Sequence, residues 1–185
     1  SINVGSAISV PGAVTAQGDA GSTFTLTSPG DGGNTTVNSG KLTLNAANPY
    51  TGSTTVKSGT LSLLGSGAIY NNLNWANQTV TLNPGTTLEL DDWVGTNRSL
   101  GQLGYAAQNL VIDGATVRNT GLTNPLVTDD SPGFTIGTNG ATLESATAGQ
   151  MWRILTDNRN ASFGIASNGG PLTLTGAGDG SITKN

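Results

Sequence analysis

Cysteine and histidine are both missing from the 185 residues. Their absence excludes disulfides, thiolate metal sites, a Ser-His-Asp triad, a Cys-His pair and histidine-ligated zinc or iron. Charge is also scarce: Asp, Glu, Lys and Arg make up 10% of the chain, against about a quarter in an average globular domain. The net charge is −4, and the seven Lys and Arg are scattered singly, which leaves no basic footprint for phosphates and excludes nucleic acid as a partner. So few Lys and Glu argue against long amphipathic helices. No stretch approaches the roughly 20 apolar residues that span a bilayer, so no membrane insertion is expected. No cofactor is expected either.

What the chain does have is glycine, 28 residues of 185, interleaved with Ser, Thr and Asn. Such a composition would suit disorder, but the hydrophobic residues, 35% of the total, fall in regular pairs. Gly33-Asn34-Thr35-Thr36-Val37-Asn38-Ser39-Gly40-Lys41-Leu42-Thr43-Leu44 is nearly repeated by the segment Gly52-Ser53-Thr54-Thr55-Val56-Lys57-Ser58-Gly59-Thr60-Leu61-Ser62-Leu63. Gly33, Thr36, Val37, Gly40, Leu42 and Leu44 all recur at one fixed spacing, as Gly52, Thr55, Val56, Gly59, Leu61 and Leu63. A fixed period of this kind marks a solenoid. Each copy reads as a short strand, a tight turn and a second strand, with Leu-x-Leu supplying the alternation of one buried face. Echoes follow at 82–90, 111–117 and 134–143. The turn glycines Gly40, Gly59, Gly85, Gly114 and Gly140 are unevenly spaced, closest between Gly40 and Gly59, so some coils carry loop insertions. Residues 1–33, with Phe24-x-Leu26 between Pro11-Gly12 and Pro29-Gly30, read as one or two opening coils. The expectation is a single all-β domain over residues 1–185. At roughly 25 residues per coil it has about seven coils and a length on the order of 35 Å.

The stretch Asn34-Thr35-Thr36-Val37-Asn38-Ser39-Gly40-Lys41-Leu42-Thr43-Leu44 resembles the autotransporter-associated β-strand repeat, also called the passenger-associated transport repeat. Asn48-Pro49-Tyr50-Thr51-Gly52-Ser53-Thr54-Thr55-Val56-Lys57-Ser58-Gly59-Thr60-Leu61 is closer still to that family's pattern. The tail Leu172-Thr173-Leu174-Thr175-Gly176-Ala177-Gly178 is similar to the segment that precedes a fresh repeat. The resemblance implies a right-handed parallel β-helix in a large, secreted or surface-displayed bacterial protein, and it brings no catalytic residues with it. The start at Ser1, without an initiator Met or signal-peptide pattern, reads as a processed or excised segment of a longer secreted protein.

Chemistry is left to carboxylates, Lys and Arg. Two acidic doublets, Asp91-Asp92 and Asp129-Asp130, are the candidates for paired catalytic carboxylates or calcium ligands. The β-helical glycosidases that cleave acidic polysaccharides resemble this chain in architecture only, because their Gly-His-Gly motif needs a histidine. Neighbours on a strand also point to opposite faces, so a doublet does not flank one glycosidic bond unless it sits in a bent loop. Asp129-Asp130-Ser131-Pro132-Gly133 reads as a turn. Gly176-Ala177-Gly178-Asp179-Gly180 is similar to a single calcium-binding nonapeptide, a signal that needs tandem copies, and it too reads as a turn. The chain is expected not to be an enzyme.

Sugar rings are recognised by aromatic faces and short polar side chains, and aromatics here are few: three each of Trp, Tyr and Phe. In Thr87-Leu88-Glu89-Leu90-Asp91 the inward parity belongs to Leu88 and Leu90, which puts Glu89, Asp91 and, if the strand continues, Trp93 on the outer face; otherwise Trp93 is a loop aromatic folded back over the coil edge. Tyr105 and Arg98 share the irregular insertion 95–108. Tyr50 matches the repeat pattern and packs on a neighbouring coil; Trp75 and Trp152 share parity with Leu73 and Ile154 and are at least partly buried; Phe24, Phe134 and Phe163 belong to the core. Arg153 alternates outward beside Trp152.

Two functional classes fit. The first is a non-catalytic carbohydrate-binding module for a neutral plant cell-wall polysaccharide, xylan or another β-glycan, with Trp93, Tyr105, Glu89, Asp91 and Arg98 as ligand contacts. The second is a structural stalk segment of a surface adhesin or autotransporter passenger. The margin favours the first. Either way the expectation is a monomer, secreted or at the bacterial cell surface, covalently attached to a catalytic or surface-anchoring domain.

Overall fold

A strand of three or four residues cannot bury its apolar face alone, and in this protein each strand leans on one from another coil. The structure is a computed structural model; it describes residues 2–4, 14–16, 18–19, 23–26, 34–44, 47–48, 53–64, 68–69, 79–91, 110–121, 126–128, 134–156 and 165–184. Among these residues there are strands and no helix.

The first sheet stacks, in order, β1 (Ile2–Val4), β3 (Thr23–Leu26), β5 (Lys41–Leu44), β8 (Thr60–Leu63), β11 (Thr87–Leu90), β13 (Ala115–Asn119), β16 (Ala141–Ser145) and β19 (Leu172–Gly176). The second stacks β2 (Val14–Ala16), β4 (Thr35–Val37), β7 (Thr54–Val56), β10 (Val80–Leu82), β12 (Leu110–Ile112), β15 (Phe134–Ile136) and β18 (Ile165–Ser167). A third sheet holds β14 (Leu126–Thr128), β17 (Met151–Thr156) and β20 (Asp179–Lys184), and β6 (Ala47–Asn48) pairs with β9 (Ala68–Ile69). The chain alternates between the second sheet and the first, and every partner is parallel and comes from another coil. This is the parallel β-helix expected from the repeat.

Register follows from the inward residues. Leu42, Leu61, Leu88, Val117 and Leu143 form one row of the first sheet, and Val37, Val56, Leu82, Ile112 and Ile136 one row of the second. All are 4% exposed or less. Each buried aliphatic side chain contributes about 1.5–3 kcal/mol, and a one-residue slip would turn the whole row to solvent. Outward positions such as Thr36, Thr55 and Thr81 carry β-branched residues that fit a pleated surface and pair across strands.

Coil length varies while register holds. Thr23 pairs with Lys41, Lys41 with Thr60, Thr60 with Thr87, Thr87 with Thr116, Thr116 with Thr142 and Thr142 with Thr173, so the shortest of these periods is the one from Thr23 to Lys41 and the longest the one from Thr142 to Thr173. The turns Gly40, Gly59, Gly85, Gly114 and Gly140 all have positive φ, as the sequence required.

The second inward row of the first sheet changes character along the axis. Leu44, Leu63 and Leu90 give way to Asn119 and Ser145, and the coil then bends toward the third sheet. Polar groups close that corner. Asn119 Oδ1 accepts from Gly121 N at 2.9 Å, Gln150 Oε1 from Thr147 N at 2.9 Å, and the Gln150 amide donates to the Gly121 carbonyl. Trp152, 1% exposed, fills the corner with its indole N–H on the Glu144 carbonyl at 2.9 Å. Phe134 is fully buried.

Candidate functional site

The outer face of the first sheet carries the densest charge among the described residues. One outward row reads Thr43, Ser62, Glu89, Arg118, Glu144, a position fixed by the inward residues on either side of each. Stacking at about 4.8 Å per coil brings charges far apart in sequence within reach of one another.

Lys41, at the start of β5, extends past β8 to Glu89, with Nζ 2.6 Å from Oε2. Ser62 Oγ, on the strand between, donates to the same oxygen at 3.0 Å. Arg118 comes from the other side, placing one guanidinium nitrogen 3.6 Å from Glu89 Oε1 and donating from Nε to Glu144 Oε2 at 2.9 Å. The result is an alternating chain of four charges across β5, β11, β13 and β16. The Glu89 side chain is 14% exposed. Burial alone raises its pKa, but hydrogen bonds from Lys41 and Ser62 and the charges of Lys41 and Arg118 outweigh it, so the carboxyl sits below its ordinary value. Beneath the chain, Ser62 and Thr43 are buried although their parity points outward.

Of the five predicted ligand contacts, Glu89 is outward as parity required, and both its oxygens are engaged within the protein. Asp91 lies at the bend after β11, half-buried, with its backbone carbonyl against Gly121. Trp93, Arg98 and Tyr105 lie outside the described residues, as do Asp92, Asp129, Asp130, Tyr50, Trp75 and Phe163. Arg153 is described through its backbone in β17, paired with Val127 and Ser181. Sequence reasoning missed Lys41, Ser62, Arg118 and Glu144 as neighbours of Glu89. The signal was available for two of them: the middle residues of Leu88-Glu89-Leu90, Val117-Arg118-Asn119 and Leu143-Glu144-Ser145 alternate in sign at equivalent positions.

As chemistry, the arrangement is self-contained. A carboxylate held ionised by two cations and a hydroxyl is a poor general base at neutral pH. Among the described residues no three carboxylates converge on a common point. A hollow of about 260 Å³ lies beside Trp152, Leu174 and Asp179, but the indole, 1% exposed, presents no ring face to a sugar.

Residues 37–63, about a seventh of the chain, match the family model described as Passenger-associated-transport-repeat. The match runs from the end of β4 through β5 and β7 to the end of β8, two successive corners of the helix. No curated protein and no solved structure matches the chain significantly.

Proposed function

We infer that this chain, a parallel β-helix that carries a Passenger-associated-transport-repeat at residues 37–63, is a structural spacer in a secreted or surface-displayed bacterial passenger and performs no chemistry of its own. One observation carries the reading: the matched segment is given over to stacking. Val37, Leu42, Leu44, Val56, Leu61 and Leu63 are 1% exposed or less, and the Gly59 turn sits directly on Gly40. A repeat whose described strand leucines and valines face the core specifies length and rigidity rather than a ligand. The engagement of Glu89 within the protein supports the same reading, because Glu89 is one of the five contacts predicted for the other reading, a xylan- or β-glycan-binding module.

Deletion of residues 41–59 removes one whole period and sets Thr60 where Lys41 stood, so a spacer should stay folded with the far-UV circular dichroism of a β-protein. The full chain should migrate unretarded in gels containing xylan, glucomannan, β-glucan or pectin. Loss of structure on deletion would sink the spacer reading, and retardation by a glycan that Trp93→Ala abolishes would replace it with the binding module.

A further inference from the structure

We propose that Lys41, Glu89, Arg118 and Glu144 form an acid-released clasp that locks the repeat-bearing coils to the coils that follow them. The proposal concerns how the solenoid holds together and stands independently of what the solenoid supports.

Nearest-neighbour stacking is the only coupling that a solenoid has by default, so each coil can open with little help from distant ones. Lys41 departs from that rule. Its ammonium passes over β8 to Glu89, two coils on, so that β5 and β11 grip β8 between them, and Ser62 of β8 adds its own hydrogen bond to the shared oxygen. Arg118 and Glu144 carry the connection on to β13 and β16. Opening the β8 coil therefore disturbs a connected set of side chains that reaches from β5 to β16.

Glu89 is the sole anion between two cations here. Among the described residues, the groups facing it are Lys41 from β5, Ser62 from β8, Arg118 from β13 and, through Arg118, Glu144 from β16; Asp91 follows at the bend after β11. Protonation removes the negative charge that Lys41 and Arg118 share, so that Lys41 loses its anion and Arg118 keeps only Glu144. Because the native pKa lies below the ordinary carboxylate value of about 4.3, the clasp is fully formed above that range and is lost as pH falls through the native pKa. Glu89 is the link between the two cations, so the loss of its charge is what parts Lys41 from Arg118.

Hydrogen exchange of the full chain, corrected for intrinsic rates, tests this at pH values from about 7 to about 2.5. The readout is protection of β8 amides relative to β12 amides, which lie on the opposite sheet. In the parent this ratio should fall about fivefold on acidification, the scale expected of a partly buried ion-pair network. Glu89→Gln should show the lowered ratio already at neutral pH and a flat profile. Lys41→Met, at a site that is 37% exposed, should halve the pH dependence and serves if Glu89→Gln does not fold. A flat ratio in the parent, or an unchanged slope in either variant, would overturn the clasp.

Discussion

Gly59→Ala and Gly85→Ala make the same chemical change at equivalent turns, and the fold predicts unequal costs. Both glycines have left-handed φ, +84° and +77°. An L-residue there costs roughly 1–2 kcal/mol, partly offset by about 0.4–1 kcal/mol from a stiffer unfolded chain. A Cβ at Gly85 meets nothing within 4 Å, so its variant should lose about 1 kcal/mol in all. A Cβ at Gly59 falls inside the contact distance of the Gly40 carbonyl oxygen and lies 2.9 Å from Gly40 N. That oxygen cannot step aside without loss, because it accepts the Thr60 N–H at 2.8 Å. Overpacking against backbone adds about 1–3 kcal/mol, for a total of about 3 kcal/mol. In a chain of this length each kcal/mol shifts the melting temperature by about 2–4 °C. Thermal melts followed by far-UV circular dichroism should therefore show Gly85→Ala down by a few degrees and Gly59→Ala by about three times as much. Equal shifts, or a larger one for Gly85→Ala, would refute the coil-on-coil contact from which the difference was worked.

Two further substitutions probe the corner at which the coil turns toward the third sheet. Trp152→Phe deletes the indole N–H that holds the Glu144 carbonyl, and should cost about 2 kcal/mol by thermal melting. Hydrogen exchange should place that loss downstream of β13; a uniform loss would contradict the local role of the ring. Asn119→Ala leaves the buried Gly121 N–H without its acceptor, at about 1–3 kcal/mol. Asn119→Leu extends the Leu44, Leu63, Leu90 row yet should not recover that loss, and parental stability in this variant would show that the amide is not needed.

The corner turns were legible because they depend on local backbone geometry. A positive φ selects glycine with no knowledge of the partner coil, and all five turn glycines read from spacing have it. The inward parity of Leu88 and Leu90 was equally local, since alternation on a strand needs only its neighbours. The surroundings of Glu89 were a different problem. Lys41 lies 48 residues away and meets it only because β8 is thin enough at its outer face, with Ser62, for a lysine to pass over. The burial of Trp152 was legible as parity, whereas its carbonyl partner and the polar corner beside it were not.

By itself, the sequence determined that this chain winds: a duplicated segment, glycines at the bends and paired aliphatics leave one ready way to bury apolar surface, and it is local to each turn. Tertiary structure alone decided which outer side chains meet. Coil periods differ, the Lys41–Thr60 step being much shorter than the Thr142–Thr173 step, while register is held by the core, so the neighbours of a surface charge are set by how much chain each loop absorbs. That is why an exposed-looking glutamate, parity-correct in the sequence, became a link between two cations in an ion chain across the outer face.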